Sequence, residues 1–168
     1  LVGSEMCIRD RYKRMNFLLG RFERTAGEFY QEYVDNNRLF KVEPIKNMSK
    51  LTENLLHGIN YEAVRKKRTD NFAYLDEKLL KLNKLNLDVP DGAFMYPLYM
   101  ENGSEIRKKL QRKKIFIPTL WPAVFNRCLE DELEFDMANN ILPIPVDQRY
   151  GIEDMQYIID AIKISQKE

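Results

Sequence analysis

Few side chains in this 168-residue chain belong to the types that do chemistry. The one histidine, His57, stands just before Gly58 at the expected end of a short helix. There a partly exposed or helix-capping role competes with catalysis. Cys128 has only Arg127 beside it to lower its pKa, so it reads as an inert buried or half-buried thiol. Two basic runs, Arg65 to Arg68 and Arg107 to Lys109 continued by Arg112 to Lys114, have the composition of a phosphate-binding surface. On a helix such runs wind around the cylinder, and Glu62, Asp70, Asp76, Glu77 and Glu105 lie close in sequence, so a solvated face is the expectation. The sequence has no glycine-rich phosphate loop, paired histidines at helical spacing or nucleophile elbow.

Periodicity indicates the elements that must position these groups. Leu18, Phe22, Ala26, Phe29 and Tyr33 recur at four- and three-residue spacing, which predicts one amphipathic helix. Ser49 suits the N-cap of a short helix over Lys50 to Leu56, ended by Gly58. A longer helix follows from about Tyr61 to Asn83, with Val64, Phe72, Leu75, Leu79 and Leu82 on one face and Arg68 filling the gap. Pro90-Asp91-Gly92 marks a turn. Beyond it, Ala93 to Met100, Ile115 to Thr119 and Ile141 to Val146 read as strands, with Pro97, Pro143 and Pro145 implying sheet edges or a bulge. Asn102 and Glu105 have capping-box spacing for a basic helix over Glu105 to Lys114. Glu130 to Asn140 is expected to be helical, and Ile152, Met155, Ile158, Ile159 and Ile162 mark a final amphipathic helix. The fold class is α+β: N-terminal helices including one long helix, then a small sheet of about three strands packed by helices.

Hydrophobic content of 44% and charged content of 32% are those of a globular chain, and no apolar run has the length of a membrane span. A net charge of +1 gives no global field favouring nucleic acid or anionic lipid, so neither is expected as a partner. With one histidine and two cysteines, nothing argues for a secreted scaffold or a metal cluster, and the cytoplasm is the default location.

The opening stretch Leu1–Arg11, LVGSEMCIRDR, resembles the translation of a transposon-end adapter used in DNA sequencing libraries. Its scattered charges at Glu5, Arg9, Asp10 and Arg11 do not suit a signal peptide. Residues 1–12 are therefore set apart as non-native. Residues 13–60 are expected to form a helical remnant, and 61–168 a long linking helix with a C-terminal small domain. The expectation is a fragment of a longer protein.

Three blocks carry a family resemblance: "NMSKLTENLLHGINYEAVRKKRTDNFAYLDEKL", "YPLYMENGSEIRKKLQRKKIFIPTLWP" and "ILPIPVDQRYGIEDMQYIIDAI". Their order and spacing resemble the C-terminal part of fold-type-I, pyridoxal-phosphate-dependent aminotransferases, most of all the DegT/DnrJ/StrS-like group. The resemblance implies a dimeric parent enzyme that transfers an amino group from a small-molecule donor to a keto group, often on a nucleotide sugar. Pyridoxal phosphate would be the cofactor, held by a lysine of a large domain preceding these residues. No lysine here has the family's serine-led context, so the resemblance assigns no catalytic residue and implies an inactive fragment.

Two site residues, Asn47 and Arg149, carry over from the same resemblance. Asn47 corresponds to an asparagine that reaches the cofactor phosphate across the dimer, although Ile45 and the directly following Met48 depart from the family's pattern. Arg149, in "VDQRY", occupies the place of a substrate-carboxylate arginine, whose fork donates two parallel hydrogen bonds. Pairing with Asp147 or Asp154 is its alternative. Trp121 is placed to wall a substrate site or to pack on the long helix. A stand-alone α+β interaction module, with the basic helix as its contact surface, is the rival reading.

Overall fold

The computed structural model describes residues 8–25, 27–45 and 47–167. The chain divides into two compact units, Leu1–Ile59 and Asn60–Glu168.

Among the described residues, the first unit holds three helices: α1 (Ile8–Glu23), α2 (Tyr30–Leu39) and α3 (Lys50–His57). The single helix expected across Leu18 to Tyr33 is thus two. Position 26 lies outside the described residues. Near the break, Thr25 donates to the Glu28 carboxylate at 2.8 Å. The Phe29 ring lies over Gly20, where an added Cβ would sit 2.2 Å from it, so only glycine admits this approach. Folding back retained the stripe's spacing but changed what it buries. Leu18 and Phe22 are exposed, while Phe17 is buried, edge-on to Tyr33 at 5.8 Å. α3 begins as expected, with the Thr52 amide donating to Ser49 Oγ at 3.1 Å.

The second unit is built on the long helix α4 (Tyr61–Leu79), whose Asn60 cap accepts from the Ala63 amide at 3.0 Å. There follow β1 (Met95–Tyr99), α5 (Gly103–Arg112), a short 3-10 turn (Pro122–Asn126), α6 (Leu133–Asn140), β2 (Ile141–Pro145) and α7 (Ile152–Lys167). The sheet has two antiparallel strands, with Tyr96 opposite Ile144, Pro97 opposite Pro143 and Leu98 opposite Leu142. One face, carrying Tyr96, Leu98, Leu142 and Ile144, is fully buried against α4, α5 and α7. Leu75, Leu79, Leu110, Met155, Ile159 and Ile162 complete that core.

The expected third strand, Ile115 to Thr119, is irregular chain. The prolines explain why. Antiparallel pairs alternate between hydrogen-bonded and non-bonded classes, and Pro97, Pro143 and Pro145 share one class by register. Lacking N–H groups, they fit only the non-bonded class, whose backbone groups point to the outer edges. The outer edge of β2 therefore lacks donors at Pro143 and Pro145, and its Ile141 carbonyl accepts from Arg107 Nη2 at 2.6 Å. The outer edge of β1 is closed by Asn83, which donates to the Pro97 carbonyl at 3.0 Å and accepts from the Tyr99 amide at 3.0 Å. Side chains and prolines thus occupy much of both outer edges, where a third strand would have to pair.

The capping box also fails. Asn102 adopts a left-handed conformation (φ 57°) and makes no side-chain cap. The first turn of α5 is fixed instead by close approach: an added Cβ at Gly103 would lie 2.1 Å from the Asn140 carbonyl oxygen. α5 accordingly begins two residues earlier than the sequence predicts.

Candidate functional site

The face of the sheet opposite the core borders an open recess of about 700 Å³ within the second unit. One side is set by the turn before β1, which α4 grips at three points. The Gly92 amide donates to Thr69 Oγ1 at 2.9 Å, Arg65 pairs with Asp91 at 3.4 Å, and Arg68 Nη1 donates to the Ala93 carbonyl at 3.0 Å. Gly92 has φ 73°, a left-handed conformation that suits glycine. This turn contributes Leu87, Asp88, Pro90 and Phe94 to the recess. The sheet contributes Met95, Pro97 and Ile141, and α4 contributes Phe72. Leu120 and Trp121 complete the lining.

Of the two residues that the sequence offered for substrate, Arg149 and Trp121, only Trp121 lines this recess. It lies at φ 50°, its carbonyl accepts from the Val124 amide at 2.9 Å, and its indole is 68% exposed. A left-handed conformation is costly for a bulky residue, and here it projects the ring outward. The recess is also lined by Phe72 of the long helix.

Arg149 lies elsewhere, on the loop between β2 and α7, and does not line the recess. Its fork is taken: Nε and Nη2 donate to the two Asp147 carboxylate oxygens at 2.7 and 2.9 Å. These hydrogen bonds hold the Asp147 carboxyl below its usual range and raise the Arg149 pKa. Asp154 serves the backbone instead, accepting from the Gly151 amide at 2.8 Å. The loop is fastened by Asn71, a buried amide on α4 that donates from Nδ2 to the carbonyls of Val146, Asp147 and Tyr150 at 3.1–3.3 Å. The sequence reading missed Asn71. The signal was present, since Asn71 precedes Leu75 and Leu79 at four-residue steps and so shares the buried face.

Asn47 belongs to the first unit, where it is exposed, two residues before the Ser49 cap. His57 is the exposed last residue of α3. Cys128 is half-buried, and burial together with Glu132 raises its pKa, which favours the unreactive thiol. In the basic runs, Lys66 pairs with Asp70 at 2.7 Å, and Arg68 is committed to Ala93 and to Gln148. On α5, Arg107 bonds Ile141, while Lys109 Nζ donates to the Ser165 carbonyl at 2.9 Å and Lys113 Nζ contacts Ser165 Oγ at 3.3 Å. Half of the cations on this stretch thereby tie α5 to α7 and β2.

The recess does not fit pyridoxal phosphate. A phosphate needs backbone donors at a nest or cationic side chains, yet no lysine or arginine lines this surface and its one ionised side chain is the Asp88 carboxylate. Among the described residues, no three His, Cys, Asp or Glu side chains are grouped to hold a metal ion. No helix described is long and apolar enough to cross a membrane. Comparison with protein-family models, curated proteins and solved structures returns no match.

Proposed function

We propose that this chain is the C-terminal part of a fold-type-I, DegT-like aminotransferase, its second unit being the small domain that closes over a cofactor held in another domain. The observation that carries this reading is where the three resembling sequence blocks fall. The first supplies α3 and α4, the second β1, α5 and the Trp121 turn, and the third β2, its loop and α7. The last two blocks and α4 pack into one unit around a shared core. A small domain of this kind contributes walls and substrate contacts while the lysine, the cofactor and the proton transfers belong to the large domain. The poor fit of the recess to pyridoxal phosphate agrees with that division of labour. Within the proposal, Trp121 walls the substrate space. Arg149 would reach a substrate carboxylate only by leaving Asp147, and Asn47 remains the candidate for a cofactor phosphate.

The test is covalent capture. The full chain is incubated with pyridoxal phosphate, reduced with borohydride and examined by intact mass and peptide mapping. The expected result is scattered, substoichiometric labelling of exposed lysines, with no conversion of cofactor by amino-acid donors beyond that of free pyridoxal phosphate. Stoichiometric capture at one lysine would contradict the assignment of the cofactor lysine to another domain.

A further inference from the structure

The recess beside the sheet combines an apolar lining with one uncompensated charge. Asp88 is exposed and forms no hydrogen bond or ion pair among the described residues. Its neighbour Asp91, by contrast, is paired with Arg65. The other arginine that reaches this turn, Arg68, is committed to Ala93 and Gln148. The recess therefore combines a local negative charge with the exposed rings of Phe94 and Trp121.

That combination selects among ligand classes. Anions meet no cation in the lining and are repelled by Asp88. A sugar would bring several hydroxyls to a surface with one polar side chain, leaving most of them without partners on desolvation. A neutral apolar ligand fills the space but gains nothing from the carboxylate. A cation with an apolar body uses both features, because the faces of tryptophan and phenylalanine attract cations as well as alkyl and aryl groups. A volume of about 700 Å³ lies within the range of small-molecule sites.

We propose that the recess binds an organic ammonium ion, its apolar body against Phe94 and Trp121 and its ammonium group toward Asp88. This site needs no cofactor and does not depend on the aminotransferase reading, so either can fail without the other.

Trp121 is the only tryptophan, so its fluorescence reports on the recess directly. The full chain is titrated with 2-phenylethylammonium, with 2-phenylethanol as the neutral analogue and with 3-phenylpropanoate as the anion. The expected result is a saturable change, with the ammonium binding about fivefold tighter than the alcohol and the carboxylate weakest. Asp88→Asn is expected to abolish the preference for the ammonium, and Phe94→Ala to weaken ammonium and alcohol alike. Both side chains are exposed, and far-UV circular dichroism checks that the variants fold. Equal or tighter binding of the carboxylate, an ammonium preference unchanged in Asp88→Asn, or no saturable change up to about 10 mM would each overturn the proposal.

Discussion

The two units treat their apolar side chains in opposite ways. In Asn60–Glu168, α4, α5, α7 and the sheet enclose a continuous core in which Leu75, Leu98, Leu142 and Ile159 are wholly buried. In Leu1–Ile59, Phe17 is the one buried apolar side chain among the described residues, while Phe22 is 93% exposed and Ile45 fully so. Neither α2 nor α3 buries any residue. Both units are helical and both are amphipathic in sequence, so periodicity alone does not distinguish them. What differs is whether the apolar stripes meet one another. The second unit carries its own stabilisation. The first is held by caps, ring contacts such as Arg14 over Phe40, and ion pairs such as Arg14 with Glu43.

The largest expected effect follows directly. Leu142→Ala should cost the second unit roughly 2–5 kcal/mol through lost transfer energy and a cavity. Phe22→Ala, with more side chain removed, should change stability by no more than about 0.5 kcal/mol. Urea unfolding followed separately in each unit checks the contrast, and equal costs would erase it.

Asn71→Ala comes next. It leaves the carbonyls of Val146, Asp147 and Tyr150 without their shared donor, at roughly 1–3 kcal/mol, and should speed amide exchange in that loop before it affects α4.

Alkaline pH probes the same core. Burial raises the Tyr96 pKa to about 12, from 10.0 for an unperturbed tyrosine. The unfolded chain loses this proton first, so the folded state holds more protons between those values and stability falls as pH rises through the window. Below it the contribution is fully present. Tyr96→Phe should flatten this alkaline decline in urea midpoints.

Smaller still is the cap of α3, where Ser49→Ala should cost about 1 kcal/mol. Amide exchange in Thr52 and Glu53 should report the loss. The smallest effect is expected for Arg149→Ala. Its pair with Asp147 is largely exposed on the arginine side, and such pairs contribute within about 1 kcal/mol. NMR titration should nevertheless show the Asp147 pKa moving up toward the ordinary carboxylate value. Because a depressed carboxyl pKa stabilises above the unfolded value and loses that contribution on acidification, the variant should lose less stability as pH falls.

Features set by neighbouring residues were legible in both units, and those set by distant groups in neither. Ser49, Asn60 and Gly58 act locally, so the bounds of α3 and the start of α4 could be read from neighbouring residues. Alternating burial along Met95 to Tyr99 likewise reflects a sheet with one core-facing side. The expected third strand and the capping box failed because they depend on distant groups, namely the register that aligns the prolines and the Asn140 carbonyl against Gly103. The helical hairpin of the first unit was hidden because a fold-back preserves three- and four-residue spacing. Of the candidate site residues, Trp121 could be singled out as an aromatic in an irregular turn. Asp88 and Phe94 become notable only when the turn is brought over the outer face of the sheet.

The central claim is that the second unit is the small domain of an aminotransferase whose cofactor lysine lies in a preceding domain. The most direct test is the genomic reading frame around Tyr12. The proposal expects that frame to continue upstream into a domain with a glycine-rich turn and a serine-led lysine, in place of the adapter-like residues. An upstream domain of unrelated type, or a native start codon immediately before Tyr12, would contradict it.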